Sequence, residues 1–229
     1  MSDRILVWDL PLRIFHWVLA ASFAGAFLTA ESERLRDLHL LFGYTFVAAI
    51  AFRLVWGFVG TRYARFSALR SGPGAIRRYL FSLVRGRPER HPGHSPLGAV
   101  MIPLLLGIGL AVAASGWATY SDIGGEWLED AHETAATILL VVVIGHVLGV
   151  VAVSALQREN LVLPLITGRK RGAPGDGIRS SRRLTALLLI IALVGLWRPG
   201  IFDREHRLAA NASIATARDH AGVRAEHTD

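Results

Sequence analysis

The sequence predicts an all-α integral membrane protein built as a four-helix bundle, with a fifth transmembrane helix after the bundle. Two observations lead to this fold class. Hydrophobic residues make up 52% of the 229 residues and charged residues only 19%, a balance that soluble domains rarely show. In addition, the hydrophobic residues gather into long runs, and the basic residues gather in the segments between these runs, as in membrane proteins.

Four apolar runs are long enough to cross a membrane. They cover residues 14–30, 38–60, 97–117 and 134–156. A helix of about 17–23 residues, rising about 1.5 Å per residue, crosses a hydrocarbon core about 30 Å thick. A cleaved signal peptide is a rival interpretation of the first run, but Trp8, Asp9, His16 and Trp17 fit it poorly.

These runs place residues 1–170 in one transmembrane domain, with a short helix expected at 75–84 in a connecting segment. Residues 171–183 are expected to form a basic cytoplasmic linker. The run at 184–197 has only 14 residues, so it spans with help from flanking residues or lies at the interface; we expect it to span. The polar, alanine-rich tail at 198–229 is expected to be disordered.

The distribution of basic residues predicts the orientation. Seventeen arginines and lysines fall in residues 1–13, 61–95 and 157–183, whereas the opposite side has only Arg34 and Arg36. Because basic residues accumulate on the cytoplasmic side, the N-terminus and both long basic segments are expected there. The basic residues behind the net charge of +7 are therefore explained by orientation in a lipid membrane, and we expect no nucleic-acid partner.

The chain has no cysteine, which excludes a covalently attached c-type haem, a thiolate iron–sulfur cluster and a disulfide. It has nine histidines. Four of them lie in the apolar runs or at their edges: His16, His39, His132 and His146. Ionisable side chains are costly at membrane depth, so each of the four is a candidate functional residue.

The four histidines match in pairs by depth. Because the runs alternate in direction, His39 and His132 both lie near the outer side, and His16 and His146 both lie towards the cytoplasm. His146 follows His132 by fourteen residues, which is close to four whole helical turns and a rise of about 21 Å. The two side chains of this helix therefore face the same way at two levels, which predicts two stacked sites.

A b-type haem takes two axial nitrogens from facing helices and needs room for a flat macrocycle. Glycines occur at Gly43, Gly107, Gly109 and Gly116. They either leave room for a large ring close to the backbone or let helices pack closely. Arg53 follows His39 by fourteen residues and is expected to contact a haem propionate near the inner level. His91 and His94 are expected to be solvated, with a contact to a propionate or a quinone as the alternative.

Residues 5–170 resemble the bacterial cytochrome b561 family, which includes the cytochrome b subunit of nickel–iron hydrogenases. The resemblance is carried by VWDLPLRIFHW around His16, LHLLFGY around His39, and the HE and IGH stretches at His132 and His146. TRYARF and GHSPLGA, in and after the first long basic segment, are also similar to this group.

The resemblance implies two haem b groups with bis-histidine ligation in a four-helix core. His16 and His146 would hold the inner haem, and His39 and His132 the outer haem. It also implies a bacterial inner-membrane protein that transfers electrons between a periplasmic partner and the quinone pool of a respiratory chain.

The resemblance leaves the partner open among a hydrogenase, another periplasmic oxidoreductase, a soluble cytochrome and a small oxidant such as superoxide. It also leaves a homodimer open. As an enzyme, the chain would be at most the quinone-reactive subunit of an oxidoreductase, and no catalytic residue is assigned. Arg13, Arg53 and His94 are candidate quinone contacts on the inner side.

Two other classes of protein compete with this interpretation. A histidine-lined metal-ion or proton transporter without haem would need acidic partners within the membrane. The apolar runs contain no Asp or Glu, and Asp130 and Glu133 lie only at the outer edge. A haem-free anchor for a partner complex would not explain histidines that match in depth and face.

Overall fold

The computed structural model describes residues 3–198 and is mainly helical. Its four long helices are α1 (Leu10–Thr29), α2 (Arg36–Val59), α4 (Pro96–Tyr120) and α5 (Glu126–Gln157). The shorter helices are α3 (Pro73–Val84), α6 (Leu163–Thr167) and α7 (Arg183–Leu196). Two strands, β1 (Asp3–Leu6) and β2 (Arg169–Gly172), form a small antiparallel sheet.

The prediction of four membrane-spanning helices is confirmed, because four helices are long and apolar enough to cross a membrane. The observed helices extend beyond the apolar runs at several ends. The largest extension is at α5, which begins at Glu126 rather than near residue 134, so His132 lies two turns inside the helix. Hydropathy marks the part of a helix that lies in lipid, whereas backbone hydrogen bonds continue into the polar first turns.

Two of the long helices begin with the same kind of cap. The carboxylate of Asp9 accepts a hydrogen bond of 2.8 Å from the backbone N–H of Leu12 at the start of α1. The hydroxyl of Ser95 accepts one of 3.2 Å from the N–H of Gly98 at the start of α4. Side-chain caps of this kind satisfy amide groups that would otherwise lack partners at the helix start.

The long helices pack as two antiparallel hairpins, α1 with α2 and α4 with α5, and α2 joins the hairpins by packing against α4. Phe46 and Ile50 of α2 form a buried cluster with Val112 of α4 and Leu139 of α5. A Cβ atom on Gly109 would lie 3.1 Å from Ile50 Cδ1, so this glycine serves close packing between helices, one of the two roles that the sequence leaves open for it.

The end of the bundle that carries the long basic segments is closed by the β1–β2 sheet, which the sequence does not predict. Strand β1 pairs with β2 in a register that joins Asp3 to Gly172 and Leu6 to Arg169. The backbone N–H groups of Val7 and Trp8 both donate to the carbonyl of Gly168. These strands are short and half basic, so their composition gives no strand signal. The pairing joins two segments that are distant in sequence.

Asp9 is the centre of this end of the protein and is fully buried. Besides capping α1, its carboxylate accepts hydrogen bonds from the indole N–H of Trp56, at 3.1 Å and 3.2 Å, and from the hydroxyl of Thr61. Asp9 therefore joins the start of α1 to the end of α2 and the loop that follows it.

Helix α7 covers fourteen residues and is apolar, and its spanning of the membrane stays a prediction. The linker predicted at residues 171–183 overlaps the end of β2, since Arg171 and Gly172 are paired with β1. The expected disordered tail lies outside the described residues, apart from its first position.

We expect Asp9→Ala to destabilise the protein by about 2–4 kcal/mol, because it removes a helix cap and leaves the buried indole N–H of Trp56 and the partly buried hydroxyl of Thr61 without their acceptor. Asp9→Asn, which keeps an acceptor oxygen, should cost less. Thermal unfolding in detergent measures both effects. The exposed Asp130 of α5 offers a control, and an equal loss in Asp130→Ala would contradict the role of Asp9.

Candidate functional site

The outer pair of histidines is formed by His39 of α2 and His132 of α5. Their ring centroids lie 6.4 Å apart, with an angle of 86° between the ring planes. Metal–imidazole bonds are about 2 Å long, so two rings on opposite sides of one metal atom have centroids about 6 Å apart. The structure therefore brings together the two outer histidines that the sequence pairs by depth, at a separation that suits a shared metal.

Both outer imidazoles are oriented by backbone carbonyls on neighbouring helices. His39 Nδ1 lies 2.9 Å from the carbonyl oxygen of Ala26 on α1, and His132 Nδ1 lies 3.1 Å from that of Val112 on α4. A carbonyl only accepts, so each Nδ1 carries the proton and each Nε2 keeps a free lone pair. Metal-binding histidines use this arrangement to fix the ring and its tautomer.

His132 lies against the backbone of α4 because Gly116 has no side chain. A Cβ atom on Gly116 would lie 2.7 Å from His132 Cε1 and 3.1 Å from Nδ1. The ring that lies against Gly116 is thus the imidazole of His132. Gly43, one turn after His39, instead borders open space, because a Cβ atom there would meet nothing within 4 Å.

The inner pair is formed by His16 of α1 and His146 of α5, which lie within electrostatic range of each other. His16 Nδ1 is buried and has no hydrogen-bond partner among the described residues. A buried polar nitrogen without a partner is costly and calls for an explanation such as an absent ligand. Gly145 and Gly149 flank His146, and added Cβ atoms on them would meet nothing within 4 Å.

A cavity of about 230 Å³ lies beside His146 at the basic end of the bundle. Its walls are mostly apolar and come from α5 and the first turns of α4, including Val153 and Met101. Its polar lining includes His91, His94 and Lys170. A mostly apolar cavity with a few converging polar groups is typical of a small-molecule site.

His94 is largely enclosed in this cavity wall. Its ring centroid lies 4.6 Å from that of Trp8, and its Nδ1 is buried without a hydrogen-bond partner in the described part of the chain. Burial lowers the pKa of His94 to about 4, and the positive charges of Arg53 and Lys170 act in the same direction. The expectation that His94 is solvated is therefore wrong for its Nδ1, although the residue as a whole is partly exposed. Its imidazole is neutral at neutral pH.

His91 lies at the mouth of the cavity, with its side chain 29% exposed and 3.8 Å from the carboxylate of Glu89. Its backbone carbonyl accepts a hydrogen bond of 2.6 Å from the ammonium of Lys170 on β2. Burial lowers the pKa of Lys170. The sequence gives no signal for Lys170, because only the pairing of β2 with β1 brings it to the cavity.

Arg53 is 2% exposed, and its guanidinium is held by the loop after α2. Its Nη1 donates a hydrogen bond of 2.9 Å to the carbonyl of Ala64, and its Cζ lies 4.8 Å from the ring centroid of Phe66. Arg13 donates to the carbonyls of Leu165 and Ile166. Both arginines thus hold the basic end together, while the propionate contact of Arg53 stays a prediction.

The side chains present fit a b-type haem better than a bare metal ion. A bare ion needs three or more protein ligands, and no group of three or more His, Cys, Asp or Glu side chains that could hold one occurs within residues 3–198. Haem supplies its own four nitrogens and needs only a pair of imidazoles. The outer pair has the separation that this requires and borders open space at Gly43.

Comparison with known proteins gives the same chemistry. The family described as prokaryotic cytochrome b561 matches residues 7–168. The chain is 26% identical over 214 residues to a Ni/Fe-hydrogenase B-type cytochrome subunit of Azotobacter vinelandii, covering 73% of this chain and 88% of the relative. No solved structure matches the chain significantly.

Two further relatives carry similar descriptions. A Ni/Fe-hydrogenase B-type cytochrome subunit of Rhodobacter capsulatus is 21% identical over 212 residues, with 72% of this chain and 81% of the relative covered. A Ni/Fe-hydrogenase 1 B-type cytochrome subunit of Escherichia coli K12 is 28% identical over 152 residues, with 53% and 63% covered.

We expect Gly116→Ala to lower the haem b content, because the new methyl group displaces His132 from its place against α4. The helix itself should not weaken, since alanine favours a helix over glycine by about 1 kcal/mol. Gly107→Ala, on the same helix with open space around it, is the matched control. Haem is measured by the pyridine haemochrome assay, and unchanged haem in Gly116→Ala would contradict this role.

Proposed function

Because the chain belongs to the prokaryotic cytochrome b561 family, we propose that it holds two b haems and transfers electrons between an outer redox partner and the membrane quinone pool. As a multi-pass bacterial membrane cytochrome b, it functions in electron transport. The two haems would be held by His16 with His146 on the inner side and by His39 with His132 on the outer side.

The outer pair is the observation that carries this proposal. The ring centroids of two imidazoles from different helices lie 6.4 Å apart, and each Nδ1 is engaged by a carbonyl of a third or fourth helix. All four long helices thus contribute to one site. Bis-histidine ligation leaves no open coordination position on haem iron, which favours electron transfer over oxygen chemistry.

The inner pair would form the second of two haem-binding levels along α5. α5 is a continuous helix from Glu126 to Gln157, so His132 and His146 are separated along its axis by about 21 Å. The unpartnered Nδ1 of His16 and the open space beside His146 support ligation there. Together the two levels would carry electrons across most of the apolar core.

The polar end of the cavity, lined by His91, His94 and Lys170, is the best-supported place for the quinone headgroup, because the open space at Gly145 and Gly149 is left to the inner haem. Quinone reduction to quinol takes up two electrons and two protons. The cavity adjoins the inner histidine, and the neutral His94 offers a buried nitrogen for a hydrogen bond to a quinone oxygen. Glu89 also lines the cavity, and its side chain is 52% exposed, so it connects the cavity to water.

The outer partner is proposed to be a hydrogenase or another periplasmic oxidoreductase. Relatives described as Ni/Fe-hydrogenase B-type cytochrome subunits support the first of these. The distribution of arginines supports a place in the inner membrane with the N-terminus in the cytoplasm. In that orientation His39 and His132 lie nearest to the periplasm.

We expect two haem b per chain, with one lost in His39→Ala and the other lost in His146→Ala. Each change removes one of two axial nitrogens, and the two losses should add in the double variant. Reduced-minus-oxidised spectra and the pyridine haemochrome assay measure them. His206→Ala, in the C-terminal tail, is the matched histidine control; full haem content in both ligand variants would move the ligands elsewhere.

We expect His94→Phe to slow the oxidation of the reduced protein by a water-soluble quinone at least tenfold, because the phenyl ring cannot hydrogen-bond a quinone oxygen; a buried hydrogen bond worth about 1.5 kcal/mol corresponds to that factor. His94→Gln, which can hydrogen-bond, should lose less. Stopped-flow spectroscopy on variants with normal haem content gives the rates, and parental kinetics in His94→Phe would place the quinone elsewhere.

A further inference from the structure

Helix α3 has two apolar faces. Its inner face carries Tyr79, which is 2% exposed, and packs against α4. Its outer face exposes Leu80, Phe81 and Val84, with exposed fractions of 45%, 58% and 87%. Helical geometry places these three within about 100° of one another and roughly opposite Tyr79. A helix normally buries one apolar face, so the outer face calls for a partner.

The charged residues of the segment that contains α3 are all basic. Residues 61–88 contain seven arginines and neither aspartate nor glutamate. Arg77 and Arg78 lie on α3 itself, and Arg85 and Arg87 follow it directly; all four are exposed. A surface that combines exposed apolar side chains with such a concentration of arginine is complementary to anionic lipid headgroups over an acyl layer.

The position of α3 in the fold suits this partner. α3 packs beside α4, whose apolar span begins at Pro96, so its place is near the level where the bundle enters the membrane. Tyr79 also contacts His91, with ring centroids 5.7 Å apart, and the hydroxyl of Ser82 accepts a hydrogen bond from the backbone N–H of Glu89. α3 therefore supports the loop at the mouth of the cavity.

We propose that α3 is an interfacial helix that binds the anionic phospholipid surface on the basic side of the membrane. Leu80, Phe81 and Val84 enter the acyl region, and the four arginines bind lipid phosphates, their aliphatic stems lying along the apolar layer. Lipid composition would then act on the loop that carries His91.

The absence of cysteine from the chain allows a direct test of depth. A nitroxide is attached to Phe81→Cys, and to Ser121→Cys as a control in the exposed turn at the opposite end, with both proteins in nanodiscs that contain anionic lipid. Insertion predicts that the probe at position 81 collides more with oxygen than with a nickel chelate, and the reverse at position 121. A water-like ratio at position 81 would overturn the proposal and assign the face to a protein partner.

The contribution of charge is tested with two matched double variants, Arg77→Gln/Arg78→Gln and Arg34→Gln/Arg36→Gln. All four arginines are exposed, and each variant removes two charges. Native mass spectrometry measures the ratio of anionic to zwitterionic lipid that the purified protein retains. We expect a loss of up to about fivefold per arginine at α3 and little change at the opposite end. Equal losses in the two variants, at normal haem content, would overturn the proposal.

Discussion

The requirement that every buried polar group find a partner in an apolar medium governs the outer site. His39 and His132 would be costly in the bundle unless their Nδ1–H groups were engaged, and the carbonyls of Ala26 and Val112 engage them. The same hydrogen bonds leave each Nε2 with a free lone pair, which the proposed binding of haem iron requires.

The same requirement organises the basic end of the protein. Buried Asp9 and Arg53 do not bond each other; each is satisfied by groups of the loop that follows α2 and its neighbours. Asp9 also begins α1, and His16 follows it by seven residues, close to two turns on the same face. The network thus fixes the position of the inner histidine, and the strand pair adds Lys170 to the cavity wall.

Glycines illustrate how one residue type serves different ends in this bundle. The space that a side chain at Gly116 would fill is occupied by His132, and the space at Gly109 is occupied by Ile50 and Phe46. Gly43 and Gly149 border open space. In sequence all four are small residues on apolar helices. Only the neighbour across the helix interface decides whether a glycine contacts an imidazole, packs closely against another helix or leaves open space.

The sequence by itself determined the four spans, the outer histidine pair and the family, because hydropathy, helical periodicity and motif order are properties of one chain segment at a time. It missed the β1–β2 pair, the burial of His94 Nδ1 and the engagement of Arg53 by Ala64. These depend on contacts between residues that are distant in sequence. Burial and hydrogen bonding are decided by which segments meet, and only the tertiary structure brings residue 170 to residue 91.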